Sequence, residues 1–205
     1  MNFYEKTLEE QEIYKGKIIN VVKQKVKLPN GKESFREIVK HPGAVAILAY
    51  KDKDTVLLIK QFRKAIDKDI FEIPAGKIEK GEEIESSALR ELEEETGYKA
   101  KNMEYLGKIV TSPGFSDEYI YIYKALNLYK GKEGMEDEDE FIDLMEISID
   151  KLKEYIKNGE GMEDEDEFID LMEISIDKLK EYIKNGEVID GKTISAVMMD
   201  TLSKK

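Results

Sequence analysis

In the first part of the chain, apolar positions recur at the spacing of β-strands. Residues 17–28 are rich in Ile and Val, Pro29 to Lys32 is a turn signal, and residues 34–40 follow as a second strand. We therefore predict a small antiparallel sheet within residues 1–41. A hairpin of this size is marginal alone, so it needs support from the main domain or from another subunit.

Apolar runs bounded by turn residues predict further strands at residues 43–50, 55–63, 70–73, 103–111 and 119–128. A terminal helix is expected over residues 193–202. Together with a central helix, these elements predict an α+β fold. Residues 42–205 would form an α/β/α sandwich, with a mixed sheet between helices, next to the N-terminal antiparallel sheet.

The central helix lies between Gly81 and Gly97, and its interior has neither Pro nor Gly. At about 100° per residue, Ile84, Ala88 and Leu92 stack on one side and predict a buried stripe. The helix is therefore expected to pack against the sheet along this stripe.

Acidic residues flank that stripe. Glu91 and Glu95 fall within about 20° of the direction of Ile84, and Glu94 lies about a right angle away. Carboxylates beside a core are unfavourable unless a cation compensates them, and Arg90 is the only base nearby. A divalent metal is the natural remaining partner, and clustered oxygens suit Mg²⁺, Mn²⁺ or Ca²⁺. The alternative is a solvated acidic helix.

The spacing around this helix is G-x5-E-x7-R-E-U-x-E-E-x-G-U, where U is a bulky apolar residue, and it resembles the Nudix box. Every fixed position matches, at Gly76, Glu82, Arg90, Glu91, Leu92, Glu94, Glu95, Gly97 and Tyr98. Tyr98 stands where an aliphatic residue is more usual, which affects packing. The resemblance implies the Nudix fold and metal-dependent hydrolysis of a nucleoside diphosphate linked to another moiety.

The resemblance also implies roles for individual residues. The carbonyl of Ala75 and the side chains of Glu91, Glu94 and Glu95 would hold Mg²⁺, or alternatively Mn²⁺. Arg90 and Glu94 belong to the implied catalytic group. Arg90, with Glu82, would orient the helix and its ligands.

Pro113 lies 16 positions beyond Gly97, in the loop SPGFSDE. A proline at this distance resembles the ADP-ribose pyrophosphatase subgroup, whose members commonly exchange an N-terminal sheet across a homodimer. The resemblance thus implies a homodimer acting on a nucleotide sugar. Substrate-binding candidates are Pro113 and Phe115 in this loop, with Arg36 and Arg63, whose guanidinium groups could hold phosphate or stack on adenine. Each arginine could equally be an ordinary surface residue.

The C-terminal third contains a tandem repeat, in which residues 134–160 recur letter for letter as residues 161–187. Each copy predicts an acidic loop, a strand and a helix that ends at Asn-Gly. Two copies are too few for a solenoid. Only one copy fits the single position in the sheet, and we expect the first, because it is synthesised first.

In the subgroup that the chain resembles, an E-x-E loop at this place supplies a general base and a metal contact. Here the candidates for the base are Glu138 or Glu165, and those for the metal contact are Glu140 or Glu167.

Composition and charge bear on the binding partners and the cellular location of the protein. The net charge of −12 disfavours non-specific nucleic-acid binding. The chain has no cysteine, its N-terminus does not read as a signal or transit peptide, and residues 44–50 are too short a run to span a membrane. We therefore expect a cytoplasmic protein. His41, the only histidine, is expected to be a loop or packing residue rather than a catalyst.

The resemblance favours hydrolysis of ADP-ribose to AMP and ribose 5-phosphate. One rival is a Nudix enzyme for another nucleoside diphosphate sugar, an oxidised nucleotide or an RNA cap. A second is a non-catalytic module that binds ADP-ribose. A third is an enzyme weakened by the duplication.

Overall fold

The computed structural model describes residues 3–130 and 169–203. The N-terminal sheet contains β1 (Lys6–Lys15), β2 (Asn20–Lys27) and β3 (Glu33–Lys40), antiparallel in that order. The predicted sheet is confirmed, but β1 was not predicted as a separate strand. All ten of its residues are exposed, so its sequence lacks the alternation that marks a half-buried strand.

Two further sheets form the main domain. One has the strand order β7 (Ala75–Lys77), β4 (Ala44–Ala49), β9 (Tyr119–Lys130) and β8 (Tyr98–Val110). In this sheet β4 and β9 pair in parallel, and the other neighbours pair antiparallel. The other is antiparallel, with the strand order β10 (Ile169–Ser175), β5 (Thr55–Arg63) and β6 (Lys68–Glu72). The helices are α1 (Ile84–Thr96), α2 (Ile176–Asn185) and α3 (Gly191–Ser203).

Helices cover both faces of the central strand β4. Val45, Ile47 and Ala49 belong to one buried cluster with the α1 stripe. The alternate residues Ala46 and Leu48 belong to a second cluster, with the buried side chains of α2 and α3. This alternation confirms the α+β prediction of a sheet between helices. No helix within residues 3–130 and 169–203 is long and apolar enough to cross a membrane.

The second copy of the repeat fills the edge of the β5 sheet. Strand β10 pairs with β5 from Ile169 opposite Gln61 to Ser175 opposite Thr55, and Leu179 of α2 is fully buried. The expectation that the first copy would dock is therefore wrong. Residues 134–160 lie outside the described residues.

The junction after α2 explains this choice. The backbone N–H groups of Glu187 and Val188 both donate to the carbonyl of Tyr182, and the Val188 side chain is buried. Only the second copy is followed by Val188, because the first is followed by Gly161. Burying a valine contributes about 1.5 kcal/mol or more. Two identical segments are thus distinguished by the residue that follows each of them.

An ionic cluster around the buried Glu72 joins β5, β6 and α3. The Glu72 carboxylate is 1% exposed and accepts hydrogen bonds from Arg63 Nε (2.6 Å) and Nη2 (2.8 Å), and also from Lys192 Nζ. Burial alone raises the pKa of Glu72, but the hydrogen bond from Arg63 and the charge of Lys192 outweigh it and hold the pKa below its ordinary value. Glu72 is therefore ionised in the folded protein at neutral pH.

The repeat provides a matched pair of variants for stability. Leu179→Ala should lower the free energy of unfolding by about 3 kcal/mol, because it leaves a cavity in the core. Leu152→Ala, the same change in the same local sequence of the first copy, should change it by less than about 0.5 kcal/mol. Urea unfolding of both variants measures this difference.

Comparable losses in the two variants, or a loss only with Leu152→Ala, would contradict the docking of the second copy. The double variant is the control for replacement of one copy by the other. A double variant much less stable than Leu179→Ala would mean that the first copy enters the sheet when the second is damaged.

Glu72 should make stability depend on pH. Because its folded-state pKa is lowered, its stabilising contribution is complete above the unfolded-state pKa, near 4.5, and is lost as the pH falls through the folded-state value. At pH 7, Glu72→Gln should lower the free energy of unfolding by about 3 kcal/mol, since it removes the buried charge that both Lys192 and Arg63 contact. Urea unfolding from pH 7 to pH 3 should show this difference shrinking in acid. A difference independent of pH would refute the assignment.

Candidate functional site

A cavity of about 450 Å³ lies beside the middle and C-terminal half of α1 (Ile84–Thr96), where Arg90, Glu91 and Glu94 line it. Its lining combines cationic, acidic and apolar side chains, and comprises Lys17, Ile18, Pro42, Lys77, Ile78, Glu79, Lys80, Arg90, Glu91 and Glu94. Lys17 and Ile18 belong to the connection between β1 and β2, whereas the lining residues from Lys77 onward belong to β7, α1 and the loop between them. The N-terminal sheet and the main domain therefore each supply a wall.

Arg90 is the centre of the acidic wall. Its guanidinium donates to Glu82 (Nε to Oε1, 3.1 Å), Glu91 (2.9 Å) and Glu94 (2.7 Å), and to the carbonyl of Lys77 (3.1 Å). Hydrogen bonds from Arg90 and Ser87 lower the pKa of Glu82 to about 2. Glu82 therefore stays ionised and ties the start of the helix to Arg90.

Glu91 is largely buried against the chain at the end of β7. A Cβ added at Gly76 would overlap the carboxyl group of Glu91, so only glycine permits this approach. Burial raises the pKa of Glu91 to about 7, although Arg90 opposes the shift. A cation near this carboxyl group would favour its ionised form.

Glu95 connects α1 to β7. It is 8% exposed, and its Oε2 accepts a hydrogen bond from the backbone N–H of Ala75 at 2.8 Å. This contact uses the amide of Ala75 and not its carbonyl, so the metal roles of Glu95 and of the Ala75 carbonyl stay predictions.

The chemistry of these donors suits a hard divalent cation, because all are oxygens. Among the described residues, however, no three acidic or histidine side chains converge closely enough to hold a metal ion. Arg90 instead lies between Glu91 and Glu94 and supplies the positive charge there. If Glu91 and Glu94 held a metal ion, it would take the place that the guanidinium of Arg90 has between them.

Four predicted substrate residues are not among those lining the cavity. Arg36 donates to both carboxylate oxygens of Glu5, at 2.9 and 2.6 Å, and Arg63 binds Glu72. Pro113 and Phe115 are exposed in the loop before β9, and the Phe115 side chain is 58% exposed. The acidic-loop candidates Glu138, Glu140, Glu165 and Glu167 lie outside the described residues.

The sequence reasoning missed the cationic part of the cavity. Lys77 and Lys80 occupy variable positions of the Nudix box, and Lys17 lies in a turn far from it in sequence. A signal for the first two was available, since Lys77 and Lys80 follow Ala75 by two and five residues, in the segment that leads into the helix. Nothing local marked Lys17 or Ile18.

Two protein-family models and several known proteins match the chain. Residues 40–181 match the NUDIX domain, and residues 5–39 match the nucleoside diphosphate sugar hydrolase N-terminal domain. The chain is 52% identical to the ADP-ribose pyrophosphatase of Bacillus subtilis (strain 168) over 147 residues, which is 71% of this chain and 80% of that protein.

It is also 49% identical to the methanol dehydrogenase activator of Bacillus methanolicus over 156 residues, which is 76% of this chain and 84% of that protein. A crystal structure of an ADP compounds hydrolase has the same fold, with a TM-score of 0.70 and 18% identity, covering 96% of this chain and 92% of that chain. The chain belongs to the Nudix hydrolase family.

Proposed function

We propose that this protein hydrolyses the pyrophosphate of ADP-ribose to AMP and ribose 5-phosphate. The observation that carries the proposal is the cluster of Arg90, Glu91 and Glu94, which lines a cavity together with lysines and is joined to Glu82 through Arg90. The similarity to an ADP-ribose pyrophosphatase at 52% identity supports the choice of substrate.

The chain's cations suit a pyrophosphate. Lys17, Lys77, Lys80 and Arg90 line the same cavity and can attract and orient a dianionic substrate. The side chains of Glu91, Glu94 and Glu95, with the carbonyl of Ala75, would hold the divalent ion, with Mg²⁺ as the expected species. When bound, that ion would offset the charge of the pyrophosphate and polarise the scissile P–O bond.

Hydrolysis also needs a base for the attacking water. We assign this role to Glu165, because the second copy supplies strand β10, which begins at Ile169 shortly after that residue. Glu165 would accept a proton as the water oxygen bonds to one phosphorus, and the bridging oxygen would leave with the other phosphate. Glu167 is the corresponding candidate for a metal contact. Glu138 and Glu140 would take these roles only if the first copy docked.

The remaining expectations belong to the same proposal. A homodimer would bury strand β1, where Leu8, Ile13 and Tyr14 are exposed. The candidates for substrate contact still include Arg36, Arg63, Pro113 and Phe115, which would have to move toward the cavity when the substrate binds. The cytoplasm remains the expected location.

A second candidate function is activation of a methanol dehydrogenase, favoured by the 49% identity to the Bacillus methanolicus activator. Adding the wild-type protein or the Glu95→Gln variant to a methanol dehydrogenase assay would show whether activation occurs and whether it depends on the Nudix site. A panel of other nucleotide sugars, an oxidised nucleotide and capped RNA tests the other hydrolytic alternatives. ADP-ribose binding without turnover in Mg²⁺ would indicate a binding module.

Release of AMP should require both a divalent ion and the box carboxylates. Glu95→Gln should lower kcat at least about 100-fold, because it removes a charged candidate ligand. Glu93→Gln is the matched control, since Glu93 lies on the same helix but pairs with Lys99 at 2.8 Å, away from the cavity lining. AMP release measured against Mg²⁺ concentration, with EDTA as the metal-free condition, gives the comparison. Full metal-dependent turnover by Glu95→Gln would refute the assignment.

The two acidic loops provide a second matched pair. Glu165→Gln should lower kcat about 100-fold or more, the range expected for loss of a general base, and Glu138→Gln should leave kcat unchanged. Steady-state kinetics with ADP-ribose in saturating Mg²⁺ distinguishes them. A loss confined to Glu138→Gln would assign the base to the first copy, and no loss in either variant would exclude both residues.

A further inference from the structure

The cavity has two walls from two parts of the chain. Lys17 and Ile18 come from the N-terminal sheet, and Ile78, Arg90 and Glu91 come from the main domain. Along the chain, the two parts meet at the short connection from β3 to β4. The width of the cavity therefore depends on how firmly the end of β3 is held against the main domain.

Strand β3 is held by the loop that precedes β9. The backbone N–H of Val39 donates to the carbonyl of Phe115 at 2.7 Å, and the N–H of Asp117 donates to the carbonyl of Val39 at 3.2 Å. The Asp117 side chain adds two contacts, in which Oδ1 accepts from the backbone N–H of His41 (2.9 Å) and Oδ2 pairs with Lys40 Nζ (2.9 Å). We call these contacts among Val39, Lys40, His41, Phe115 and Asp117 the clasp.

The clasp continues directly into the cavity wall. His41 Nδ1 accepts a hydrogen bond from the N–H of Gly43 at 3.1 Å, and the carbonyl of Gly43 accepts from the N–H of Ile78 at 3.2 Å. Gly43 has φ of 94°, and a Cβ there would lie 3.4 Å from Ile78 Cδ1 and from the Tyr119 carbonyl. Pro42 and Ile78 line the cavity themselves, so the clasp reaches the site through only two further hydrogen bonds.

We propose that Asp117 is a positioning residue, which sets the spacing between the two walls by fastening the N-terminal sheet to the main domain. The inference rests on the proposed function. Asp117 is not among the cavity-lining residues, and it makes none of the contacts of the Arg90 cluster. Its loss should therefore misplace Lys17 and Ile18 against the substrate while leaving the carboxylates of α1 in place.

This arrangement predicts separate effects on KM and kcat. Asp117→Ala removes both side-chain contacts and should raise KM for ADP-ribose about 10-fold, with kcat within about twofold of wild type. Asp117→Asn keeps an acceptor for the His41 amide and should raise KM only about threefold. Asp69→Ala is the matched control, because Asp69 is an exposed aspartate that also pairs with a lysine, Lys60 at 3.1 Å, but lies on β6. It should leave both constants unchanged.

Amide hydrogen exchange tests the clasp without depending on activity. In Asp117→Ala, the Val39 amide should exchange at least about 10-fold faster, whereas the Leu92 amide in α1 should be unchanged. Unchanged exchange at Val39 would overturn the clasp whatever the enzyme hydrolyses. Faster exchange with unchanged KM in an active enzyme would overturn the positioning role but leave the proposed function intact. A wild-type protein that does not hydrolyse ADP-ribose would overturn the proposed function itself, together with the role of Asp117 in it.

Discussion

Helix α1 packs against the sheet with carboxylates at the interface. The structure around the cavity depends on the positive charge and hydrogen bonds that stabilise these carboxylates. Leu92 and Ala88 must be buried to attach the helix to the sheet, and this places Glu91 and Glu95 at the same interface. Each carboxylate then needs a partner, because transferring a charged group from water into the protein without one is strongly unfavourable. Arg90 supplies charge to Glu91, and the Ala75 amide supplies a hydrogen bond to Glu95. The acidic cluster is thus a consequence of how the helix packs.

The same constraint links folding to chemistry. Gly76 allows the carboxyl group of Glu91 to approach β7, and the surrounding burial raises its pKa to about 7. Further positive charge beside Glu91 would favour the ionised form of this carboxyl group. A divalent ion brought in with a pyrophosphate would supply such charge. The residues that pack this helix face against the sheet are therefore the same ones that we propose as ligands of the divalent ion.

Identity of sequence does not make the two copies of the repeat equivalent. Both have the same amino-acid sequence, yet the second alone continues into Val188 and α3. Because Val188 and Leu179 belong to the same buried cluster as Ala196 and Val197, docking the second copy completes a core that also includes α3. The context of a segment, and not its internal propensity, decides which copy pairs with β5.

The sequence by itself determined the family, the α1 stripe and the box residues, because these follow from fixed spacing within one helix and one turn. The prediction that ADP-ribose is the substrate also came from short local sequences. Tertiary structure alone decided that Arg90 bridges Glu91 and Glu94, that Arg63 serves Glu72, and that the second copy docks. It also brought Lys17 to the cavity and Asp117 to His41, a contact that spans 76 positions. Such pairings depend on how separate sheets pack, and no local periodicity records them.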